Sequence, residues 1–147
     1  MTDDLLRATV SVRGVISDTR GHVLTVQRRT DHEWELPGGR LNAGESPQQG
    51  LRREVHEETK LDVEIVDIVK ANSWVNTAGE DRFAVHYHCE PTAESVVLSE
   101  EHVDSAWVRS EVAAQVLTEA QVTAVQMALA ETEASMDLTG GSSHPQD

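Results

Sequence analysis

Residues 39–61, which read GRLNAGESPQQGLRREVHEETKL, decide the fold that this chain adopts. They open as a loop and then begin a helix whose start is marked by three side chains. Ser46 caps the helix, Pro47 suits the first helical position, and Gln49 completes a capping box with the serine. The sequence therefore predicts a loop that passes into a helix near residue 47.

Three glutamates give this predicted helix its chemistry. Glu54, Glu57 and Glu58 are spaced i, i+3 and i+4, so their side chains fall within one arc of roughly 100°. Each like-charged pair costs ~0.2–0.5 kcal/mol, and Arg52 and Arg53 relieve part of this repulsion. A hard divalent cation would relieve more, because Mg²⁺ and Mn²⁺ prefer carboxylate and water oxygens. On helix chemistry alone, a solvated acidic face is the more common explanation.

The glutamates belong to a longer pattern. Gly39 is followed after five residues by Glu45, and after seven more by REVHEETKL at residues 53–61, while WELPGG at residues 34–39 leads into the stretch. This arrangement resembles the signature box of the Nudix hydrolases, with seven of its eight specified positions matched in order. The one departure is Lys60, which stands where the family has glycine.

Lys60 bears on how the helix ends. A glycine just past a helix usually adopts the left-handed conformation that closes it. Lysine adopts that conformation at a cost of about 1 kcal/mol, or else the helix ends differently here. Because Lys60 lies outside the carboxylate set, we expect lost stability or a shifted loop rather than lost chemistry.

The resemblance implies an α/β fold, namely an α/β/α sandwich with a mixed β-sheet between helices. It also implies a pyrophosphohydrolase that uses Mg²⁺, or alternatively Mn²⁺, to cleave a diphosphate linkage. The substrate would be a nucleoside diphosphate linked to another group, such as a sugar, or a nucleoside triphosphate. Residues 76–79 lack the Pro or Tyr that marks some subtypes, which weakens an ADP-ribose assignment. A catalytically inactive nucleotide-binding or regulatory module is the alternative that Lys60 keeps open.

The same resemblance implies roles for residues of the box. Glu54, Glu57 and Glu58 would bind the metal, and Glu57 and Glu58 would combine metal binding with proton transfer. Arg53 would support catalysis by pairing with the neighbouring glutamates and positioning them. Glu45 would be either an outer metal ligand or a cap of the loop.

Two segments outside the helix complete the predicted site. Gly38 and Gly39 let the backbone approach a phosphate closely, or only make the turn into the helix, and Arg40 beside them is a phosphate partner. Later, an acid precedes an aliphatic–Trp strand, which is similar to late segments of Nudix domains. By that resemblance Glu101, or its neighbour Glu100, would lie near the metal; a solvated turn is the alternative.

Several other polar residues allow two interpretations each. Arg28 and Arg29 end a predicted strand as solvated ends or as phosphate contacts. His86 and His88 share one face of another strand, where an ordinary sheet face, open or covered by a helix, is favoured over a metal pair. Trp74 either stacks on a base or packs in the core.

Periodicity and turn residues predict an alternation of strands with helices. After the predicted helix of the box, the chain continues through strands to an amphipathic helix that we expect to end near residue 132. The predicted strands lie at residues 9–17, 22–29, 34–36, 62–71, 82–90 and 96–98 and around Trp107, with helices at residues 110–117 and 118–132. We expect one domain at residues 1–133 and a disordered tail at residues 134–147.

Composition limits the partners and the compartment. The formal net charge is −14, and residues 61–147 carry about −13 of it, so no cation excess favours a nucleic-acid polymer. A single cysteine, Cys89, excludes an intramolecular disulfide and suits a reducing compartment. No apolar run approaches the ~18–20 residues that cross a bilayer, and the acidic start of the chain is no secretory signal. We therefore expect a cytoplasmic protein with a small nucleotide-type substrate and no membrane partner; a homodimer is an expectation from the resemblance only.

Overall fold

The computed structural model describes residues 4–143, with side chains described as far as residue 133. Seven strands and three helices follow one another in this part of the chain. In order they are β1 (Thr9–Ile16), β2 (Val23–Arg28), β3 (Trp34–Glu35), β4 (Gly38–Arg40), α1 (Pro47–Thr59), β5 (Val63–Val75), β6 (Asp81–Pro91), β7 (His102–Val108), α2 (Ser110–Val116) and α3 (Glu119–Ser143).

The strands form two sheets. The four-stranded sheet has the order β4-β1-β6-β5, in which β1 and β6 are parallel and the other neighbours antiparallel. The three-stranded sheet is antiparallel throughout and has the order β3-β2-β7. The mixed sheet that we expected is therefore confirmed, and a second sheet lies beside it that the sequence pattern did not separate.

Helices cover the sheets on two sides. α1 packs on β1, β4 and β5, where its Leu51 and Val55 are fully buried in an aliphatic core. α3 packs on β1, β5 and β6 from the other side, and its Val125 and Ala128 join a second core with residues of α2. The α/β/α layering implied by the box is confirmed.

α1 begins and ends as its sequence dictates. The Ser46 hydroxyl accepts a hydrogen bond from the Gln49 N–H at 3.2 Å, and the Gln49 side chain accepts one from the Ser46 N–H at 3.0 Å. At the other end Lys60 adopts the left-handed conformation, with φ 62° and ψ 12°, and its N–H donates to the His56 carbonyl. The helix therefore ends where the family has glycine, with a lysine in the conformation that glycine favours.

The two histidines of β6 lie on a covered face of the sheet. His86 is 2% and His88 3% exposed, on the side where α3 packs. The His88 Nε2 lies 2.8 Å from the Ser17 hydroxyl, and its Nδ1 lies 3.7 Å from a carboxylate oxygen of Glu131 on α3. Of the interpretations that the sequence allowed, the helix-covered sheet face is the one that the structure shows.

Two predicted strand boundaries need correction. β5 continues beyond residue 71 to Val75, because its pairing with β6 extends as far as Val75 opposite Asp81. Irregularities in that pairing, between Ile65 and Asp67 and again near Ile68, break the alternation on which the prediction relied. Residues 96–98 form no strand, and the Val97 N–H there donates instead to the carbonyl of Thr59.

The last helix is longer than its sequence pattern predicted. α3 runs to Ser143, so residues 134–143 are helical, whereas residues 144–147 of the expected tail lie outside the described part. Residues 134–143 read ASMDLTGGSS and are mostly weak helix formers, so neither an apolar stripe nor helix propensity explains the extension. Within the described residues, no helix combines the length and apolarity that crossing a bilayer requires.

The left-handed Lys60 predicts a stabilising substitution. We expect Lys60→Gly to raise the free energy of unfolding by about 0.5–1 kcal/mol, because glycine adopts this conformation without the steric cost of a Cβ. Urea unfolding measures the change, with Gln48→Gly as a control at an exposed helical position, where glycine should destabilise. Equal losses of stability in the two variants would contradict the assignment.

Candidate active site

Two glycines of β4 let the acidic face of α1 approach the sheet. Gly38 has a φ of 151°, and the Val12 carbonyl of β1 occupies the place where a side chain would stand. At Gly39, a Cβ would collide with the carboxylate of Glu54. Any other residue at these two positions would push β4 away from β1 or displace that glutamate.

The guanidinium of Arg53 gathers the acids of the box. Its Nε and Nη2 donate to the two carboxylate oxygens of Glu45 at 2.7 and 3.0 Å. Its Nη1 donates to Glu54 at 3.0 Å and to Glu57 at 3.2 Å. Nη2 also donates to the carbonyl of Arg40 in β4 at 3.1 Å. The side chain therefore stands where the predicted positioning role requires it.

Glu58 is the most deeply buried of the three glutamates, with 3% of its surface exposed. Its Oε1 accepts a hydrogen bond from the Gly38 N–H at 3.1 Å. Burial raises the pKa of Glu58 to about 8, and the charges of Glu54 and Glu35 add to the rise. The Gly38 hydrogen bond and the charge of Arg13 oppose it. This carboxyl therefore holds a proton at neutral pH unless a cation lies beside it.

The other two glutamates differ in exposure. Burial raises the pKa of Glu54, and the nearby charges of Glu57 and Glu101 raise it further against the pull of Arg53. Glu57 has 54% of its side chain exposed and reaches the others through its hydrogen bond to Arg53. The carboxylates of this site thus lie close enough to repel one another; they are Glu54, Glu57, Glu58 and Glu101.

These side chains open into one cleft with a volume of about 730 Å³. Glu57 lies outside its lining, and the Gly38 N–H that we expected to face a phosphate is engaged by Glu58. The predicted residues that line the cleft are Gly38, Gly39, Arg40, Arg53, Glu54, Glu58 and Glu101.

Glu45 and the Glu100–Glu101 pair had open roles in the sequence. Glu45 accepts the Asn42 N–H at 2.8 Å in addition to its contacts with Arg53, so these contacts favour the loop cap over a metal ligand. Glu101 lines the cleft, whereas Glu100 accepts a hydrogen bond from Arg29 through its carbonyl at 2.7 Å. Glu101 is therefore the acid of the pair that reaches the site.

The cleft also contains a buried cluster that the sequence analysis missed. The carboxylate of Glu35 on β3 contacts the His102 Nε2 at 2.9 Å, the Arg28 Nη1 at 3.0 Å and the Arg13 Nη1 at 3.4 Å. Burial acts to raise the pKa of Glu35, but the His102 hydrogen bond and the two arginines hold it below the ordinary value. The visible signal was Arg13, which is the one charged residue in the TVSVRGVI of β1.

The structure also gives the positions of three residues for which the sequence left alternatives open. Arg28 lines the cleft, while Arg29 is turned toward the Glu100 carbonyl. Trp74 also lines the cleft and is 43% exposed, so it does not belong to the core.

The donor set of the cleft suits a hard divalent cation. Among the side chains that the structure describes, no three His, Cys, Asp or Glu residues stand arranged as metal ligands, since the Arg53 guanidinium lies between the carboxylates. The ligand atoms that these acids offer are nevertheless oxygens only, and burial raises the pKa of Glu54, to which repulsion from Glu57 and Glu101 adds. A cation that prefers carboxylate oxygens would remove that repulsion.

Comparison with known proteins identifies the family of this arrangement. A family model described as NUDIX domain matches residues 7–128. A MutT-like protein of Streptomyces ambofaciens is 34% identical over 100 residues, which span 68% of this chain and 63% of that protein. An RNA pyrophosphohydrolase of Pseudoalteromonas translucida is 39% identical over 66 residues, or 45% of this chain and 37% of that protein. The chain thus spans less than two thirds of these curated relatives.

A solved structure gives the same result for the fold. The MutT protein from Methanosarcina mazei Go1 superposes with a TM-score of 0.75 at 26% sequence identity. The match covers 87% of this chain and 99% of that one.

The raised pKa of Glu58 predicts how stability depends on pH when no divalent cation is present. The unfolded chain loses this proton near pH 4.5 and the folded protein near pH 8, so unfolding releases a proton and becomes easier as pH rises across this interval. Between pH 6.5 and 8.5 we expect a loss of about 1–2 kcal/mol, measured by urea unfolding in EDTA.

Glu58→Gln is the matched control, because glutamine keeps an oxygen for the Gly38 N–H and cannot ionise. His86 and Cys89 also have pKa values that are shifted in the folded protein, to about 4 and about 12, but their contributions are common to both proteins, so the difference between the two slopes belongs to Glu58. An equal slope in the wild-type protein and in this variant would contradict the assignment to Glu58.

Proposed function

The chain belongs to the NUDIX family, and we propose that it is a divalent-cation-dependent pyrophosphohydrolase of small nucleotides. It would cleave the diphosphate linkage of a nucleoside triphosphate, or of a nucleoside diphosphate joined to another group. The observation that carries the proposal is the Arg53 guanidinium, which holds Glu54 and Glu57 beside a cleft that Glu58 and Glu101 also approach.

Mg²⁺, or alternatively Mn²⁺, fits this set of acids best. We assign its binding to Glu54, Glu57 and Glu58, whose oxygens match the preference of both ions. When bound, such an ion polarises phosphoryl oxygens and lowers the pKa of a coordinated water. The ion would also favour the charged form of Glu54, whose pKa is raised by burial and further by the charges of Glu57 and Glu101.

Arginines of the cleft would bind and orient the substrate. Arg28, Arg40 and Arg82 line it, on strands that approach from different sides. Guanidinium groups bind phosphate oxygens through paired hydrogen bonds and so fix both charge and orientation. The Arg28 Nε and Nη2 donate to Asp31 at 2.9 and 2.7 Å and its Nη1 donates to Glu35 at 3.0 Å, so Arg28 is fixed in place and its charge is largely balanced within the protein. This leaves Arg40 and Arg82 as the more available phosphate partners. A diphosphate placed among them has its negative charge neutralised, and attack by water becomes easier.

The acids of the site would carry out proton transfer, and they differ in how deeply they are buried. Glu57 is half exposed and is held by Arg53, so it can accept a proton from a water molecule at the rim. Glu58, whose pKa is raised by burial, holds or releases a proton close to neutral pH. Glu101 lines the cleft and is the third candidate for this step. The products would be a nucleoside monophosphate and a phosphorylated remainder, or pyrophosphate from a triphosphate.

Turnover of a nucleotide panel tests the proposal. Release of phosphate or monophosphate is measured with Mg²⁺ for nucleoside triphosphates and nucleotide sugars, in the wild-type protein and in Glu57→Gln. We expect one substrate class to be hydrolysed and kcat to fall about 10²–10⁴-fold in the variant, the range for loss of a general base or metal ligand. Glu64→Gln, an exposed acid of β5, is the matched control and should leave the rate unchanged.

Two other outcomes of this experiment would have different meanings. Activity that survives in Glu57→Gln would remove the catalytic role of this residue. Saturable nucleotide binding without turnover of any substrate would favour the binding-module alternative instead.

A further inference from the structure

A second cavity adjoins the cleft. It has a volume of about 590 Å³ and lies between the sheet formed by β1, β6 and β5 and the beginning of α3. Ser11, Arg13 and Trp74 line both spaces, so a single molecule can extend from one into the other. A group attached to a diphosphate in the cleft would therefore enter this second cavity.

The floor of the second cavity carries a row of basic side chains. β1 and β6 pair Arg13 with His86, and β6 and β5 pair the same His86 with Lys70. Directly paired residues project on the same side of a sheet and stand next to one another. Two cations therefore flank one imidazole across three neighbouring strands, and all three residues line the cavity.

His86 is a polar group that the protein itself does not satisfy. It is 2% exposed, and its Nδ1 has no hydrogen-bond partner among the described residues. Burial, together with the charges of Arg13 and Lys70, lowers the pKa of His86 to about 4. The ring is therefore neutral at neutral pH. In the neutral ring Nδ1 can carry the proton and donate it. A buried donor without a partner is destabilising, and a hydrogen bond to a ligand oxygen would remove that cost.

The two cations differ in what they already contact. Arg13 donates to the Leu36 carbonyl at 2.7 Å and lies 3.4 Å from Glu35, so its charge is balanced within the protein. Lys70 has no ion pair with any described residue. The one carboxylate in the described lining of this cavity is that of Glu119, at its α3 side. Of the two positive charges in this row, that of Lys70 is thus the one available to pair with a ligand.

We propose that this second cavity binds an oxyanion, a carboxylate or a phosphate, carried by one of the two groups that the diphosphate joins. Lys70 pairs with the oxyanion and the His86 Nδ1–H donates to it, while Arg13 links this position to the cleft. A neutral group could accept a hydrogen bond from His86 but would leave the charge of Lys70 without a counter-charge. The inference rests on the proposed function, since it names which anhydrides the cleft receives.

Two pairs of substrates that differ by one anionic group test this assignment. UDP-glucuronic acid carries a carboxylate where UDP-glucose has a hydroxymethyl group, and NADPH carries a phosphate that NADH lacks. For each pair, kcat/KM is measured with Mg²⁺, and Kd is measured by calorimetry without a divalent cation. We expect the wild-type protein to favour the anionic member of at least one pair by about tenfold, mainly through KM and Kd. The pair that shows the preference identifies the oxyanion as carboxylate or phosphate.

Substitutions of Lys70 connect the preference to the cavity. Lys70→Met keeps the length of the side chain without its charge, and should reduce the preference to about onefold while the neutral member changes by less than about twofold. Lys70→Arg should retain the preference. Lys60→Met removes the same charge at the end of α1, outside both cavities, and should leave the preference unchanged.

The outcomes separate this inference from the proposed function. Turnover of the neutral members with no anionic preference, or a preference that survives in Lys70→Met, would overturn the inference and leave the hydrolase intact. Absence of all turnover would overturn the proposed function, and the Kd ratios would then decide by themselves whether the second cavity selects an oxyanion.

Discussion

The structure depends on placing several carboxylates against a sheet edge without letting them repel the helix away. Arg53 meets this constraint, because one guanidinium donates to three acids and to the backbone of β4. The absence of side chains at Gly38 and Gly39 is the other half of the solution, since it lets Glu54 and Glu58 lie directly beside that strand. Helix, loop and strand are therefore held together by the same charged group.

Arg53 does not cancel all of the repulsion between the carboxylates, and the repulsion that remains favours the binding of a cation. Burial leaves Glu58 with a pKa of about 8 and raises that of Glu54 as well, so both carboxyls resist ionisation in the folded protein. Such groups gain most when a cation arrives, because the ion removes both the repulsion and the cost of burying charge. The crowded carboxyls thus lower the stability of the protein without a cation and raise its affinity for one.

The local parts of this architecture could be predicted from the sequence. The capping box, the spacing of Glu54, Glu57 and Glu58, and the conformation of Lys60 all depend on residues close together in the chain. Periodicity also located most strands, but it could not give the full length of β5, which is set by pairing with β6, or of α3, whose apolar stripe does not continue to its end.

The missed features join distant residues. The cluster around Glu35 brings together β1, β2, β3 and β7, and the row of Arg13, His86 and Lys70 exists only because three strands align in register. No spacing within the sequence encodes such neighbours. Titration with Mn²⁺, followed by electron paramagnetic resonance, tests most directly whether the carboxylates beside Arg53 bind a divalent cation. Saturable binding that is lost in Glu54→Gln is the predicted result; no binding, or equal binding in that variant, would contradict it.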